Sequence, residues 1–229
     1  MAPDLGWLHR YVPAEADAAV ARGTVPNRGT NAGPLTLLLL HGTGGDENSL
    51  VGLGRLVAPK ANLLSVRGRS NEEGVTRFFR RFSATSYDQA HLVSEAKALG
   101  RFARLAADTY GFDRRGLVAC GYSNGANIAL ATLAYDADAF AAAILLRAVM
   151  PLDEPPEVDL GGKPVLVLHG VRDAYAPYAR DLAPYLTHAN ARVSEISVAA
   201  GHELVEEDVA QVRAWLEAFV GEVPNRANT

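Results

Sequence analysis

The segment at residues 117–129, LVACGYSNGANIA, constrains the fold more than any other part of the chain. An apolar run leads into Ser123, which has Gly121 two positions before it and Gly125 two positions after it. This G-x-S-x-G pattern is typical of a sharp strand-to-helix turn, in which larger side chains at the glycine positions would collide with neighbouring elements. The segment therefore predicts a strained backbone at Ser123, with the hydroxyl exposed at the end of a buried strand.

The pattern is weak evidence when it stands alone, because 21 of the 229 residues are glycine and a motif this short arises by chance. Its surroundings strengthen the interpretation. An apolar strand precedes the serine, and alanines at positions 126, 129 and 131 would let the following helix pack closely against a sheet. We therefore predict that Ser123 is a catalytic nucleophile.

Strand and helix patterns alternate along the chain. Apolar runs typical of buried strands occupy residues 35–40, 62–66, 117–120, 140–146 and 164–168, with further strands predicted at 7–12 and 192–198. Helical patterns occupy residues 48–56, 88–110, 178–189 and 203–219, besides the helix after Ser123. This alternation predicts an α/β fold with a doubly wound, mostly parallel sheet and helices on both faces. The site is expected at the carboxyl ends of the strands.

The length and hydrophobicity of the chain predict one domain. A chain of 229 residues with 48% hydrophobic content can bury one full core, and we assign residues 1–229 to a single domain. Residues 1–34 are predicted to form an edge strand and an irregular, mobile connection, and residues 221–229 a disordered tail. The Pro- and Gly-rich segment between the strands at 140–146 and 164–168 predicts a loop, with no room for a cap domain.

The charge balance narrows the range of partners. A net charge of -4 and a pI of about 5.9 argue against nucleic acid or an anionic membrane, since both require a clustered basic face. We expect a small-molecule ligand, and dimerisation is left open. The first residues carry neither a basic leader nor a long apolar run, which favours the cytoplasm. The one cysteine, Cys120, is predicted to be a buried core residue, and no Cys or His cluster suggests a metal or another cofactor.

A serine hydroxyl is a poor nucleophile and needs a general base, which in turn needs an orienting acid. On this kind of sheet the three groups occur in the order Ser, Asp or Glu, then His. His202 lies between a predicted strand and a predicted helix, where a loop can carry the imidazole over the sheet edge, and it is the predicted base. His188 is more simply a surface residue near a helix end, and His169 a core or supporting residue at a strand end.

The predicted acid is Asp173. It follows the carboxyl end of the strand at 164–168 and could accept a hydrogen bond from His202 Nδ1. The alternative for this residue is an ordinary turn or helix-capping aspartate. Asp153 and Asp159, in the proline-rich loop, are weaker candidates.

Attack on a carbonyl group creates an oxyanion, which needs backbone N–H groups that already point at it. One donor is predicted to be Asn124, the residue after the nucleophile. The other is predicted to be Thr43, in the glycine-rich loop at 41–45 that follows the strand at 35–40. A phosphate-binding role for that loop is a weak alternative, because neither a P-loop lysine nor a G-x-G-x-x-G pattern is present.

Taken together, these motifs resemble the small, capless phospholipase/carboxylesterase branch of the α/β-hydrolases. The nearest match is the bacterial subgroup associated with hydroquinone resistance. The resemblance covers nearly all of residues 35–219 and rests on LHGTGGDE at 40–47, SVRG at 65–68, RFFRR at 77–81, GYSNGANIA at 121–129, Met150-Pro151 and Gly201-His202.

The resemblance implies Ser123, Asp173 and His202 as a catalytic triad, and Thr43 and Asn124 as the oxyanion donors. The chain departs from the family in two places. Its connection at 14–34 is longer, and it carries Arg-Ala-Val at 147–149, where related sequences often have His-Pro. These departures bear on the shape of the pocket.

The run at residues 77–82 has two interpretations. It could be a basic surface loop whose phenylalanines are tucked against the core. Alternatively, arginines near the cleft could pair with a substrate carboxylate while the phenylalanines line an apolar pocket. The candidate substrate-binding residues are Arg77, Phe78, Phe79, Arg80 and Met150.

The sequence as a whole predicts a serine hydrolase that cleaves carboxylic esters through an acyl-enzyme intermediate. Short acyl chains are expected to be preferred, because no cap deepens the site. A thioesterase or lysophospholipase is the alternative among enzymes, since the same triad cleaves those bonds. A catalytically silent hydrolase fold that binds small ligands is the alternative outside enzymes, and the intact Ser, Asp and His argue against it.

Overall fold

The computed structural model describes residues 4–14 and 35–222, so nearly all of the predicted connection at 14–34 and most of the predicted tail lie outside the described residues.

The described residues form nine strands, which are β1 (His9–Val12), β2 (Thr36–Leu40), β3 (Asn62–Val66), β4 (Ser70–Glu72), β5 (Val75–Arg77), β6 (Leu117–Tyr122), β7 (Ala142–Leu146), β8 (Pro164–Gly170) and β9 (Arg192–Val198). Seven of them form one sheet in the order β1-β3-β2-β6-β7-β8-β9. All neighbours in this sheet are parallel except β1 and β3. The predicted α/β fold with a mostly parallel sheet is confirmed.

The described residues also form five α-helices, which are α1 (Val51–Val57), α2 (Gln89–Tyr110), α3 (Asn124–Tyr135), α4 (Leu182–His188) and α5 (Glu206–Glu222). Successive side chains of a strand point to opposite faces of the sheet, so each face carries its own apolar core. In β2, Leu38 and Leu40 pack into the core shared with α2, α3 and α4. Leu37 and Leu39 pack into the core shared with α1 and α5. The predicted helices on both faces are therefore confirmed.

Some helix boundaries differ from the predicted ones, and local hydrogen bonds explain the differences. Helix α1 begins at Val51 because the carboxylate of Asp46 accepts a hydrogen bond from the Asn48 N–H (2.9 Å) and keeps the predicted cap in a preceding turn. Helix α5 begins later than predicted, because the Asp208 carboxylate accepts from the Val205 N–H (2.8 Å) and caps the helix there. Helix α4 is shorter than predicted, because a 3-10 turn that contains a proline precedes it.

The segment at 67–86, predicted to be a loop, contains the hairpin of β4 and β5. The two strands are joined by Glu73 and Gly74, whose φ angles are 58° and 73°. Positive φ at both central residues is the geometry of a type I′ hairpin turn. Glutamate is an unusual first residue for that turn, which is why the sequence pattern did not reveal it.

The carboxyl ends of the strands are open. In the described residues, no helix or strand lies between β7 and β8, so no cap domain covers the site. Cys120 is fully buried on β6 as predicted, and burial raises the pKa of its thiol to about 12. Among residues 4–14 and 35–222, no helix is both long and apolar enough to cross a membrane.

Candidate active site

Ser123 lies between β6 and α3, in the turn that the G-x-S-x-G pattern predicts. Its φ of 52° lies in the left-handed region that side chains rarely adopt, so its backbone is strained. A Cβ on Gly121 would lie 2.4 Å from Gly125 O, and a Cβ on Gly125 would lie 2.0 Å from Leu40 O. Both positions therefore require glycine for the turn to form against β2.

The three predicted triad residues come from separate loops and meet at the carboxyl ends of the strands. His202 Nε2 lies 2.9 Å from Ser123 Oγ, and His202 Nδ1 lies 2.8 Å from Asp173 Oδ2. An ionised carboxylate only accepts hydrogen bonds, so Nδ1 donates to Asp173 and leaves Nε2 to accept from the serine hydroxyl. The Asp173 side chain is 6% exposed and the His202 side chain 31% exposed. The arrangement is a continuous line of hydrogen bonds from a buried carboxylate to an accessible hydroxyl.

Two tyrosines hold the acid and the imidazole in place. Asp173 Oδ1 accepts a hydrogen bond from the Tyr175 N–H (2.8 Å), and the Tyr175 ring meets the His202 ring edge-on, with 4.9 Å between ring centres. The Tyr122 hydroxyl donates to the carbonyl oxygen of His202 (3.0 Å). Neither role was predictable from the sequence, since Tyr122 occupies a variable position of the G-x-S-x-G pattern and Tyr175 belongs to no motif.

A buried ion pair supports the loop that carries His202. Arg147 Nη2 lies 2.8 Å from Asp208 Oδ2, and neither side chain is exposed. The same guanidinium donates to the carbonyl oxygens of Gly201 and Glu203, both at 2.9 Å, on either side of His202. Arg147 itself has a positive φ of 53°. The Arg-Ala-Val departure from the family therefore contacts the His202 loop as well as the cavity.

The other candidate bases and acids lie away from Ser123. His169 Nε2 lies 2.9 Å from a carboxylate oxygen of Glu195 on the neighbouring strand β9. His188 is on the surface, where it lies 3.2 Å from a carboxylate oxygen of Glu157 in the loop between β7 and β8. Asp153 is exposed, and Asp159 accepts a hydrogen bond from a backbone N–H of its own loop. Only His202 and Asp173 are brought to the serine.

The predicted oxyanion donors face the same cavity as Ser123, since Thr43 and Asn124 both line it. The hairpin fixes both segments. The Gly44 N–H donates to a carbonyl oxygen of β5 (2.8 Å), and Asn124 Oδ1 accepts from the Phe78 N–H (2.8 Å). Within the described residues, the backbone N–H groups of Thr43 and Asn124 donate to no protein acceptor. They are available to a bound oxygen atom.

His41 supports the loop that carries Thr43. Its Nδ1 donates to the carbonyl oxygen of Gly42 (2.6 Å), and its Nε2 accepts from the Gly68 N–H (3.0 Å). The ring also packs on Phe78, with 4.8 Å between ring centres. Burial lowers the pKa of His41, so the ring is neutral near pH 7. Neutrality is what the arrangement requires, because a protonated Nε2 could not accept from Gly68.

Ser123 opens into a cavity of about 250 Å³. The lining residues are Thr43, Arg81, Ala84, Tyr87, Tyr122, Ser123, Asn124, Asn127, Arg147, Val149, Tyr175 and His202. The walls combine three tyrosine rings with amide, hydroxyl and guanidinium groups, so the cavity suits a small ligand that is partly polar.

The two phenylalanines predicted to bind substrate belong to the core instead. Phe78 and Phe79 are fully buried, and they pack against His41 and Tyr87 respectively. Phe78 directly follows β5, so the β4–β5 hairpin holds this segment against the sheet. Both rings lie in the core, as the first interpretation expects, and neither lines the cavity beside Ser123.

The other three predicted substrate-binding residues do not line the cavity either. Arg77 is buried and donates to two carbonyl oxygens of its own hairpin. Arg80 is exposed and pairs with Asp88 (2.8 Å). Met150 packs against the core. The arginine of this run that does line the cavity is Arg81, which sequence analysis did not select.

The similar proteins of known name are a hydrolase and carboxylesterases. No protein-family model matches the chain. It is 39% identical over 186 residues to MhqD of Bacillus subtilis (strain 168), which is named as a hydrolase, covering 80% of this chain and 93% of that protein. The crystal structure of the Bacillus cereus carboxylesterase has a TM-score of 0.83 and 33% identity, over 94% of this chain and 95% of that one. The carboxylesterase from Mesorhizobium loti has a TM-score of 0.78 and 35% identity, over 80% of this chain and 88% of that one.

A parallel sheet of this order, with a serine in a strained turn after a central strand, defines an α/β-hydrolase. The relatives agree with that class and narrow it to esterase-type hydrolases. The chain belongs to the phospholipase/carboxylesterase family, and the predicted resemblance to this family and to its hydroquinone-resistance-associated subgroup is confirmed.

Proposed function

We propose that the protein hydrolyses carboxylic esters with Ser123 as the nucleophile, His202 as the general base and Asp173 as the orienting acid. The observation that carries this proposal is the unbroken line of hydrogen bonds through the three side chains, at 2.8 and 2.9 Å. Two similar proteins, from Bacillus cereus and Mesorhizobium loti, are named as carboxylesterases, which supports the same activity here.

In the first half-reaction, His202 Nε2 takes the proton of the Ser123 hydroxyl as Oγ attacks the ester carbonyl carbon. The carbonyl oxygen becomes an oxyanion, which accepts hydrogen bonds from the N–H groups of Thr43 and Asn124. The imidazolium formed on His202 is stabilised by Asp173 and then protonates the departing alkoxide. The products of this half-reaction are the free alcohol and an acyl group bonded to Ser123 Oγ.

In the second half-reaction, His202 deprotonates a water molecule, which attacks the acyl carbon through the same oxyanion geometry. The bond between the acyl carbon and Ser123 Oγ breaks, and His202 returns the proton to the serine. The acid product leaves the cavity, and the triad is restored.

Esters with short acyl chains are the proposed substrates. The cavity of about 250 Å³ is smaller than the roughly 300–1,000 Å³ typical of sites for drug-sized ligands, and no cap domain extends it in the described residues. We expect p-nitrophenyl acetate or butyrate to be hydrolysed with a higher kcat/KM than p-nitrophenyl palmitate. A preference for the palmitate would contradict this part of the proposal.

The nucleophile is tested by comparing Ser123→Ala with Ser197→Ala. Ser197 is exposed on β9 and away from the cavity, which makes it a matched control. We expect Ser123→Ala to lower kcat on p-nitrophenyl acetate by about 10⁴-fold or more, and Ser197→Ala to leave it unchanged. A fluorophosphonate should label the wild type and Ser197→Ala but not Ser123→Ala. An unlabelled wild type would instead indicate a catalytically silent binding protein.

A further inference from the structure

The cavity beside Ser123 contains a positive charge that no described residue balances through a hydrogen bond or an ion pair. Of its two arginines, Arg147 is neutralised by Asp208. The Arg81 side chain forms no hydrogen bond or ion pair with any residue in the described parts of the chain. Among the described residues that line the cavity, none is aspartate or glutamate. A ligand in this cavity therefore meets a guanidinium group with no competing carboxylate on the walls.

The backbone holds Arg81 at the cavity even though its side chain is exposed. Arg81 and Tyr87 form an antiparallel bridge, and the Phe82 N–H donates to Ser86 O (2.8 Å). The loop between them is thereby closed at the start of α2. Tyr87 is buried and lines the cavity, as does Ala84 from the tip of the same loop. The backbone at Arg81 is therefore fixed, and no residue in the described parts of the chain engages its guanidinium group, which can contact a ligand.

The neighbouring arginine serves as an internal comparison. Arg80 precedes Arg81 directly, yet it does not line the cavity. Its guanidinium group pairs with Asp88 at 2.8 Å, so the carboxylate at the start of α2 is already engaged. The two consecutive arginines therefore have different surroundings, one paired with a carboxylate and the other at the cavity wall.

We propose that Arg81 forms an anion-binding subsite, and that the preferred esters of this enzyme carry a carboxylate in addition to the ester group. This inference rests on the proposed esterase function. A guanidinium group binds a carboxylate through two parallel N–H donors, which fixes the orientation of the ligand as well as its charge. Arg81 and Ser123 line the same small cavity, so a carboxylate bound at Arg81 would hold the ester of a compact substrate near the nucleophile.

The test uses ester pairs in which a carboxylate is replaced by a neutral carboxamide of similar size. In 4-acetoxybenzoate and 4-acetoxybenzamide the charged or neutral group is on the alcohol part. In the mono-p-nitrophenyl esters of adipate and of adipamate it is on the acyl part. We expect the wild type to have the higher kcat/KM for the charged member of at least one pair, and that pair identifies which part of the ester contacts Arg81.

In Arg81→Ala, the KM for the charged ester of that pair should rise about three- to tenfold, as expected for losing one partly exposed charge-assisted contact. The neutral ester should be hydrolysed as by the wild type. Arg80→Ala is the matched control, and it should leave both values unchanged. Raising NaCl from about 20 to about 500 mM should weaken the preference of the wild type and not affect Arg81→Ala.

The proposal is overturned if the wild type does not favour the charged member of either pair, or if Arg81→Ala raises the KM of charged and neutral esters equally. It is also overturned if Arg80→Ala reproduces the effect of Arg81→Ala. Failure of the proposed esterase function is a different result, because the wild type would then hydrolyse no ester of either pair and would not react with a fluorophosphonate.

Discussion

The serine turn and the His202 loop supply the two reacting groups of the proposed triad, and they are held by different means. The turn is fixed by backbone packing, since Gly121 lies against the Gly125 carbonyl and Gly125 against Leu40 of β2. The His202 loop also lies against backbone, at Gly170, but it is held in addition by side chains from other elements. Its strongest support is the Arg147 guanidinium, which comes from the end of β7.

The serine turn and the His202 loop therefore contribute differently to stability and to the geometry of the site. A strained residue persists only where its surroundings over-determine it, so the serine turn cannot be altered without disturbing the centre of the sheet. A buried ion pair adds little net stability but is costly to break on one side. The loop can therefore lose its precise position in a protein that still folds, whereas the turn cannot.

The largest expected effect is that of Gly125→Ala. The added Cβ would lie 2.0 Å from Leu40 O and 2.4 Å from Leu40 C, both backbone atoms of the central strand β2. We expect a loss of about 3 kcal/mol or more in the free energy of unfolding, or no folded protein at all. Denaturant unfolding followed by circular dichroism measures it.

Gly52→Ala is the control for this substitution. Gly52 lies in α1, and a Cβ there would meet no atom within 4 Å. It should stabilise the protein by about 0.5–1 kcal/mol, the usual gain for alanine over glycine in a helix. If Gly125→Ala folded with the stability of the wild type, the claim that backbone packing holds the serine turn would be wrong.

The next largest effect is expected at the ion pair. Arg147→Met leaves the buried Asp208 carboxylate without its ion-pair partner, although it still accepts from the Val205 N–H. The free energy of unfolding should fall by about 3 kcal/mol, the lower end of the range for breaking a buried ion pair on one side. The double variant Arg147→Met/Asp208→Asn removes both charges, and the asparagine can still cap α5 through Val205. We expect the double variant to recover most of the lost stability. Thermal unfolding of the two variants compares them.

The same double variant tests whether Arg147 positions His202. The carbonyl oxygens on either side of His202 lose their donor, so kcat on p-nitrophenyl acetate should stay at least about tenfold below the wild type even when stability returns. Recovery of full kcat together with stability would show that the arginine is needed for folding alone, and that the His202 loop holds its geometry without it.

The contrast between the two regions also explains what the sequence could predict. The turn is encoded within five residues and the apolar strand and small residues directly beside them, so Gly121, Ser123 and Gly125 could be assigned to it from local sequence. His202 and Asp173 could be found because each follows a strand on a sheet whose parallel order brings such loops to one edge. Hydrophobic patterns predicted the seven strands of the main sheet for the same local reason, but not the two short strands of the β4–β5 hairpin.

Features that depend on distant pairing or on strand register were not predictable. Arg147 and Asp208 are 61 residues apart, and neither lies in a motif. Which arginine of the run at 77–81 reaches the cavity depends on the β4–β5 hairpin and its unusual Glu73-Gly74 turn. The sequence therefore indicated Arg77 and Arg80, whereas the structure brings Arg81 to the cavity.

A smaller effect on stability is expected from Gly170→Ala at the base of the His202 loop. The added Cβ would lie 2.0 Å from Gly201 O and 2.7 Å from Ala200 O. These overlaps match those at Gly125 in size, but the atoms belong to a loop that can shift rather than to a central strand. We expect a folded protein whose kcat is about 10²-fold lower, because the imidazole is displaced. A variant that unfolds like Gly125→Ala would show that both regions are equally rigid.

The smallest expected effect concerns pH and the loop that packs against the serine turn. Burial lowers the pKa of His41 in the folded protein, so the unfolded chain binds a proton at this residue more readily. The stability that His41 contributes is complete above its unfolded pKa of about 6.5, and it is lost progressively as the pH falls below that value. We expect the melting temperature of the wild type to fall between pH 7.5 and pH 5, and that of His41→Asn to fall less, because asparagine does not titrate. If the melting temperatures of the two proteins fell equally with pH, the loop that carries Thr43 would not depend on a neutral imidazole. The serine turn would then be held by its glycines alone.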